Sequence, residues 1–171
     1  MSDKQFNESM LYSILSQLSI EVRPFNNDDL DAVHSIEKDS FTDPWPDSFF
    51  IYMHQREPDL FIVMLDGGEM VGFVVGELRE IMFSGISHQF KVGHVLNIAV
   101  DQVRRRSGVG DRLMDEVEER FRRNNATRAT LEVRESNVGA KGFYTKRGYQ
   151  EIGRVRAYYQ DEDALIMSKN L

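Results

Sequence analysis

The sequence of 171 residues has no cysteine, so it can form no disulfide and offers no thiol nucleophile. It also has no apolar run near the roughly 18 residues that a membrane-spanning helix needs. The first residues, Met1 to Gln5, lack the apolar core of a signal peptide. These absences predict a cytoplasmic protein that has no contact with a membrane.

Positive charge is also in short supply. The 21 lysines and arginines are outnumbered by 28 aspartates and glutamates, which gives a formal net charge of −7. Nucleic-acid binding through a broad basic face is therefore not expected, and a protonated amine is a more natural partner. The four histidines show no metal-ligand spacing, so we predict no metal site: His34, His54, His88 and His94.

The composition that is present is that of an ordinary globular protein. Hydrophobic residues make up 41% of the chain and charged residues 29%. A chain of this length can bury one sizeable core, so we expect residues 20–171 to form one domain. Residues 1–19 are predicted to be an N-terminal extension, either a weak amphipathic helix or a mobile arm.

Hydrophobic periodicity and turn residues predict the order strand, two helices, three strands, helix, strand, helix and two strands. The strands are expected near residues 20–23, 60–65, 70–78, 95–100, 130–134, 149–155 and 164–168. Asp66-Gly67-Gly68-Glu69 is a hairpin signal, and the polar stretch 80–93 is expected to form a long loop or an extended ribbon. This order predicts an α/β fold with one mixed, mostly antiparallel sheet flanked by helices.

Residues 95–121 are the part of the chain around which the rest is organised. An apolar strand is followed by Arg104-Arg105-Arg106-Ser107-Gly108-Val109-Gly110, and then by an amphipathic helix. A glycine turn at a helix N-terminus exposes unpaired N–H groups at the positive end of the helix dipole, which favours an anion. The alternative is a solvated run of charges that precedes a flexible turn.

Two well-known phosphate loops do not fit this turn. The sequence has no Gly-x-x-x-x-Gly-Lys-Ser/Thr string, and a dinucleotide fingerprint would need a glycine where Leu113 stands. The string that remains, Arg105-x-x-Gly108-x-Gly110, resembles the signature of the GCN5-related N-acetyltransferases (GNAT). In that family the amides of the loop hold the pyrophosphate of acetyl-coenzyme A. The predicted order of elements matches this fold over about residues 20–171.

Longer strings resemble the branch of this family that acetylates protein N-termini. Leu131-Glu132-Val133-Arg134-x-Ser136-Asn137, then Tyr144 and Gly148-Tyr149, follow its pattern. Phe41-x-x-Pro44-Trp45 is similar to the substrate loop of the bacterial ribosomal-protein alanine acetyltransferase. Gly93-His94-Val95 and Tyr158-Tyr159 are similar to the archaeal N-terminal acetyltransferases. Asp43 stands where those relatives carry a glutamate, and its shorter reach leaves the accepted first residues open.

The resemblance implies acetyl transfer from acetyl-CoA to the α-amino group of a protein or peptide N-terminus, with ribosomal or nascent proteins as possible substrates. It implies direct attack by the amine, with general acid and base help. The residues implied to bind the coenzyme are Ile98, Ala99, Val100, Arg105, Arg106, Ser107, Gly108, Val109, Gly110, Asp111, Asn137 and Tyr144. Those implied to bind the acceptor are Phe41, Asp43, Trp45 and Tyr158.

Three residues are implied to carry the chemistry. Glu132 is the expected base, acting through water with a pKa raised by partial burial, and His94 shares that water. Tyr144 is expected to protonate the departing sulfur. Taken without the resemblance, Glu132 is the solvent side of an alternating strand, Tyr144 a half-buried helix residue, and the aromatic loop at 41–47 a core plug.

Several alternatives remain open on the sequence alone. Asn137 either helps to fix the coenzyme or only caps the following helix, where Ser136 is the other candidate cap. Asp47 is predicted to cap the second helix, and His34 to be a packed or surface residue. The same fold also serves acetyltransferases for small amines and, in another class, non-catalytic acyl-CoA sensors.

Overall fold

The computed structural model describes residues 19–82, 89–159 and 162–171. The predicted N-terminal helix or arm lies outside the described residues, and so does the middle of the 80–93 stretch. The elements in chain order are β1 (Ile20–Pro24), α1 (Leu30–Ser40), α2 (Asp47–Arg56), β2 (Phe61–Asp66), β3 (Glu69–Met82), β4 (Gln89–Val100), α3 (Val109–Arg123), β5 (Ala126–Arg134), α4 (Val138–Lys146), β6 (Gln150–Tyr159) and β7 (Glu162–Asn170).

The seven strands form one sheet in the order β1-β2-β3-β4-β5-β7-β6. The β4–β5 pair is parallel, whereas β1–β2, β5–β7 and β6–β7 are antiparallel. A parallel pair needs a crossover connection, and α3 supplies it between β4 and β5. The predicted fold class and the predicted order of helices and strands are both confirmed.

The chain divides into two compact units. The first comprises Met1–Phe73 and Ile98–Leu113, and its described core contains an aromatic cluster in which Phe25 stacks on Phe61 at 4.1 Å. Gly72 lets the start of α3 approach β3 closely, because a Cβ there would lie 2.8 Å from the Ala99 carbonyl oxygen and 3.1 Å from Leu113. Side-chain packing on this glycine therefore fixes the beginning of α3.

The second unit comprises Val74–Asn97 and Met114–Leu171. Phe121 of α3 is fully buried over two glycines, Gly76 of β3 and Gly93 of β4. A Cβ on either glycine would come closer than 3.0 Å to the Phe121 ring, a distance that real Cβ atoms do not show. The ring occupies the space that two side chains would otherwise fill, and so holds the last turns of α3 on the sheet.

A buried carboxylate joins the other side of α3 to the end of the chain. Glu118 is 2% exposed, and its oxygens lie 2.7 Å from Lys169 Nζ, 3.2 Å from the Tyr149 hydroxyl and 3.4 Å from Arg147 Nη2. Burial and the nearby carboxylate raise the pKa of Tyr149 far above that of a free phenol. Two cations and a hydroxyl therefore satisfy a charge that would be costly to bury alone.

The turns agree with the sequence except at α2. Gly67 and Gly68 have φ of +61° and +86° between β2 and β3, and Gly148 has φ of +89° after α4. Asp47, however, does not cap α2, because Pro46 is the N-cap residue and no side chain caps the helix. The Asp47 carboxylate is instead paired with His34 of α1. His34 is thus a half-buried surface residue, in agreement with the non-catalytic expectation.

Candidate active site

The loop between β4 and α3 has the backbone geometry of a tight turn. A short 3₁₀ turn, Gln102–Arg104, follows β4, and Arg106 and Gly108 then adopt positive φ of +62° and +89°. Helix α3 begins at Val109, and its first-turn N–H groups have no carbonyl partner within the helix. A Cβ on Gly108 would meet no atom within 4 Å, so open space lies beside this helix N-terminus.

The three arginines of the loop differ in their partners. Arg104 Nη1 lies 2.8 Å from Asp66, and Arg105 donates from Nε to the Val100 carbonyl and from Nη2 to the Ser40 hydroxyl, both at 3.1 Å. Among the described residues Arg106 has no side-chain partner. Of the three arginines, Arg106 is therefore the one whose charge remains available for an anion beside the helix N-terminus.

The strand that leads into this loop has two different faces. Val95, Asn97 and Ala99 are buried, whereas Ile98 and Val100 are half-buried. The apolar sequence of this strand is therefore fully buried on one face only. The partly open face of Ile98 and Val100 leaves apolar surface beside the glycine turn.

The parallel pairing of β4 with β5 brings His94 to Glu132. The register places His94 opposite Thr130, and the imidazole reaches across to the residue two positions further along β5, so that its Nε2 lies 2.8 Å from Glu132 Oε2. On its other side, His94 Nδ1 lies 2.8 Å from Thr130 Oγ1. The His94 side chain is 1% exposed and that of Glu132 is 17% exposed, so the carboxylate is the part of the pair that faces solvent.

His94 and Glu132 approach closely, but the direction of the approach is not that of a hydrogen bond. Among the described residues, Nε2 of His94 has no hydrogen-bond partner with acceptable direction although the carboxylate oxygen is 2.8 Å away. A buried ring nitrogen in this position has the capacity to bind a water molecule next to Glu132. Both groups can then share that water.

The pKa of Glu132 is lowered, not raised as the sequence predicted. Burial acts to raise it, but the adjacent imidazole of His94 and the positive charge of Arg79 together outweigh burial. Glu132 is therefore a carboxylate throughout the neutral pH range. The error in the expectation arose because burial was visible in the strand pattern whereas the neighbouring charges were not.

Two further side chains lie in the electrostatic surroundings of Glu132. Tyr158, half exposed on β6, has a raised pKa because of burial and then the Glu132 charge, and Arg79 acts in the opposite direction. Arg79 of β3 is held by Glu77, with Nε and Oε1 2.6 Å apart. The structure thus brings Tyr158 near Glu132 and adds Arg79, which the sequence did not single out.

Tyr144 is more deeply buried than expected. It is 7% exposed on α4, with the Phe143 and Tyr149 rings 5.3 and 5.8 Å away, and burial raises its pKa well above that of a free phenol. A phenol with a raised pKa is fully protonated at neutral pH and is a weaker acid than a thiol. Its suitable role is therefore to donate a hydrogen bond to a thiolate, and complete proton transfer is uphill.

The loop between α1 and α2 carries three of the four expected acceptor residues. Phe41 and Asp43 are exposed, and Trp45 is half-buried, with its ring 4.3 Å from that of Phe49. The Trp45 N–H donates to Oε1 of Glu37, which is 1% exposed. A buried carboxylate at the end of α1 therefore fixes the middle of this loop, which is in part a core plug and in part an open surface.

Asn137 is the N-cap of α4. Its Oδ1 accepts from the Ala140 N–H at 3.0 Å, which confirms the capping interpretation and leaves its amide N–H₂ for other partners. Ser136 does not cap the helix. Its backbone N–H and its hydroxyl both contact Glu162, and Arg134 lies 3.4 Å from the same carboxylate.

The residues that the sequence did not single out share one property. Thr130, Arg79 and Glu37 each act on a predicted residue through a contact between strands or along a helix end. The alternation of β5 placed Thr130 on the face of Glu132, which was the one available signal. The pairing register and the loop path were not available from local patterns.

Neither a metal-binding cluster nor a membrane-spanning helix is found among the described residues. Within residues 19–82, 89–159 and 162–171, no group of three or more histidine, aspartate or glutamate side chains is arranged to hold a metal ion. Over the same ranges, no helix is both long enough and apolar enough to cross a membrane.

The mixed sheet, with a glycine turn between a central strand and a helix, is the fold expected for an acetyltransferase. The model of the acetyltransferase (GNAT) family matches residues 30–149. The chain belongs to this family. It is accordingly an acetyl-CoA-dependent N-acetyltransferase, and the expected enzyme class and acetyl donor are confirmed.

Relatives with similar sequences are spread over archaea and bacteria. An uncharacterized N-acetyltransferase of Methanocaldococcus jannaschii is 34% identical over 86% of this chain and 90% of its own. A putative ribosomal protein bS18 alanine N-acetyltransferase of Bacillus subtilis is 34% identical over 85% and 92%. An N-alpha-acetyltransferase of Sulfurisphaera tokodaii is 34% identical over 84% and 88%.

Two solved structures extend the comparison. Ard1 from Thermoplasma volcanium has a TM-score of 0.78 and 30% identity over 90% of this chain and 98% of its own. Naa20 from Chaetomium thermophilum, solved in complex with a bisubstrate analogue, has a TM-score of 0.79 and 28% identity over 88% and 86%.

Proposed function

We propose that the protein transfers the acetyl group of acetyl-CoA to the α-amino group of protein or peptide N-termini. The observation that carries this proposal is the pair formed by His94 and Glu132, with 2.8 Å between a buried imidazole nitrogen and a solvent-facing carboxylate oxygen. Relatives named N-alpha-acetyltransferase and ribosomal-protein alanine N-acetyltransferase support the choice of an N-terminal α-amine.

The electrostatics of this pair suit an amine that is already partly neutral. An α-amino group has a pKa of about 7.7–8.0 and a lysine side chain one of about 10.4, so far more of the α-amine is neutral at pH 7. Glu132 has a lowered pKa and is a weak base, which is sufficient for a proton released during attack but not for deprotonating a lysine beforehand.

In the proposed reaction the amine attacks the thioester directly, and its proton is taken up by Glu132. The amine nitrogen forms a bond to the acetyl carbonyl carbon while the carbon–sulfur bond breaks and the sulfur leaves as a thiolate. The amine proton passes through water to Glu132, and His94 Nε2 orients that water. Tyr144, whose burial keeps it protonated, donates a hydrogen bond to the thiolate.

The donor site fits the residues of the β4–α3 loop. The open space beside Gly108 and the half-buried face of Ile98 and Val100 leave room for a phosphate at the helix N-terminus and an apolar arm along the strand. When bound there, acetyl-CoA supplies an activated acetyl thioester. The amides from Arg105 to Asp111 would bind its phosphates, with Arg106 as the available cation, and the amide of Asn137 would add a donor.

Two groups of residues are proposed to bind the acceptor, one in the aromatic loop and one in β6. Phe41, Asp43 and Trp45 would contact the first residues of the peptide, and the Asp43 carboxylate suits an ammonium group during encounter. Tyr158 would contact the backbone near Glu132. Ribosomal or nascent chains are the proposed natural acceptors, and a cytoplasmic location is predicted.

The test measures thiol release from acetyl-CoA with short peptides of different first residues, free lysine and a polyamine. Mass spectrometry then locates the acetyl group on the product. We expect turnover with peptides and acetylation at the N-terminal nitrogen, and a loss of about 10²–10⁴-fold in the Glu132→Gln variant. Faster turnover of the polyamine than of every peptide would instead assign the enzyme to the small-amine class.

A further inference from the structure

The donor loop makes two contacts with the last turn of α1. Gln102 donates from Nε2 to the Asp39 carbonyl at 3.1 Å, and Arg105 donates from Nη2 to the Ser40 hydroxyl at 3.1 Å. The guanidinium is also anchored to its own loop, because Nε donates to the Val100 carbonyl at 3.1 Å. Arg105 therefore points toward α1, away from the space beside Gly108.

The same turn of α1 holds the acceptor loop. Glu37 accepts from the Trp45 N–H at 3.1 Å through its buried carboxylate, and its own carbonyl accepts from the Phe41 N–H at 3.0 Å. The three residues that follow Glu37 include both contacts of the donor loop, Asp39 and Ser40. One helical turn therefore receives hydrogen bonds from the donor loop on one side and anchors the acceptor loop on the other.

We propose that Gln102 and Arg105 are positioning residues for the acceptor: the donor loop fixes the end of α1, and this end sets the position of the loop from Phe41 to Trp45. The proposal rests on the proposed function, since it takes the first loop as the acetyl-CoA site and the second as the peptide site. Its new content is that Arg105, an arginine of the donor loop, serves acceptor binding, and that acetyl-CoA increases the order of the acceptor loop.

The proposed coupling has an entropic basis: acetyl-CoA and the acceptor peptide both require the end of α1 to be ordered. A loop with positive φ at Arg106 and Gly108 loses freedom when a ligand binds its amides, and the Arg105 fork transmits that restriction to Ser40. A second ligand that requires the same position of the α1 end then loses less conformational entropy when it binds. Lysine cannot reproduce this link, because one ammonium lacks the planar fork that reaches both Val100 and Ser40.

The experiment compares wild type with the variants Arg105→Lys, Ser40→Ala, their double variant and Gln102→Ala. For each, turnover gives the peptide KM and kcat, and calorimetry gives the Kd of acetyl-CoA. We expect peptide KM to rise about 3- to 10-fold in Arg105→Lys and in Ser40→Ala, with smaller changes in kcat. The double variant should show no further increase in peptide KM, because each single change already removes the same hydrogen bond between Arg105 and Ser40. Arg104→Lys alters the same loop at a residue that pairs with Asp66 and not with α1, and it is expected to leave peptide KM unchanged.

A second measurement does not depend on the acceptor. Hydrogen exchange at the Trp45 amide should slow when acetyl-CoA is added to wild type, and this protection should be lost in the Ser40→Ala and Gln102→Ala variants. An acetyl-CoA effect on Trp45 that is equal in wild type and variants would overturn the inference, as would additive KM changes in the double variant. Absence of acetylation of every peptide would overturn the proposed function, whereas the exchange experiment would still decide the link between the loops.

Discussion

His94 and Glu132 meet diagonally across two parallel strands: the register pairs His94 with Thr130, yet its Nε2 lies 2.8 Å from Glu132 Oε2. Thr130 therefore holds one side of the ring while the carboxylate occupies the other. The pair has one buried member and one that faces solvent, which is the arrangement needed to hold a water molecule at the surface of a site.

The first prediction concerns this pair. Glu132→Gln should reduce kcat by about 10²–10⁴-fold, because the amide cannot take a proton from the shared water. His94→Gln should reduce it less, since it orients the water without receiving the final proton. The Kd of acetyl-CoA, measured by calorimetry, should change little in either variant, and full turnover of Glu132→Gln would move the base to another residue.

The second prediction concerns the acidic side of the pH–rate profile. The lowered pKa of Glu132 keeps it ionised above the ordinary range of carboxylates, near pH 4. Loss of kcat/KM between about pH 6 and 8 should therefore follow protonation of the acceptor amine, whose pKa is about 7.7–8.0. Peptides with different N-terminal pKa values should shift this limb accordingly. A limb that stays fixed for all peptides would instead point to a group of the enzyme.

The ionisation of Glu132 also contributes to the stability of the protein, because its pKa is lowered in the folded state. Because the folded pKa of Glu132 is depressed, its contribution to the free energy of unfolding is present above the unfolded pKa and declines as the pH falls through the folded value. The melting temperatures of wild type and Glu132→Gln, measured by thermal unfolding, should thus differ by a constant amount from pH 6 to 8. The difference should narrow only below about pH 4.

The third prediction separates donor binding from backbone strain with two glycines. Gly108 and Gly148 both have φ of +89°, and a Cβ on either would meet nothing within 4 Å. Alanine at each should cost about 1–2 kcal/mol, the usual penalty of a left-handed residue. Thermal unfolding should register both changes equally, whereas the affinity for acetyl-CoA should fall only in Gly108→Ala. Equal affinities in the two variants would reject the loop as the donor site.

The fourth prediction divides the two roles of Asn137. Asn137→Ala removes the cap on Ala140 and should destabilise the protein by about 0.5–2 kcal/mol. Asn137→Asp keeps the capping oxygen but loses the amide donor. It should retain the wild-type melting temperature and show a raised KM for acetyl-CoA if the amide contacts the coenzyme. An unchanged KM would leave the residue with capping alone.

The fifth prediction concerns packing beneath α3. Gly93→Ala should destabilise the protein by about 1–3 kcal/mol, because the added methyl group overlaps the Phe121 ring in a fully packed position. Gly142→Ala is the matched control: it lies inside α4 with open space around it and should stabilise the protein by about 0.5–1 kcal/mol. Chemical denaturation of both variants measures the difference.

The order of helices and strands was predictable because each element has a local signal. The apolar spacing from Val109 to Phe121 marked α3, and those residues are indeed buried. Strand ends were less predictable: β3 continues to Met82 and β6 to Tyr159. In β6 most side chains are exposed, so pairing with β7 determines its length and no burial pattern marks it.

The candidate site was predictable only as a set of residues. The resemblance to a known signature singled out Glu132 and His94, but their contact depends on the parallel register of strands separated by the whole of α3. Ser40, which accepts a hydrogen bond from Arg105, lies 65 positions away along the chain. No local pattern contains such contacts, and the lowered pKa of Glu132 depends on them as well.

The carboxylate of Glu118 links four parts of the second unit: α3 itself, the residue after α4, the residue before β6 and the end of β7. Replacing Glu118 alone would leave the half-buried Lys169 without this carboxylate partner and would leave Arg147 paired with Asp115. Replacing either cation alone would weaken the compensation of the carboxylate. Divergence at this position must therefore proceed by concerted changes, and a sequence that has lost one member of the set should be found to have lost or exchanged the others.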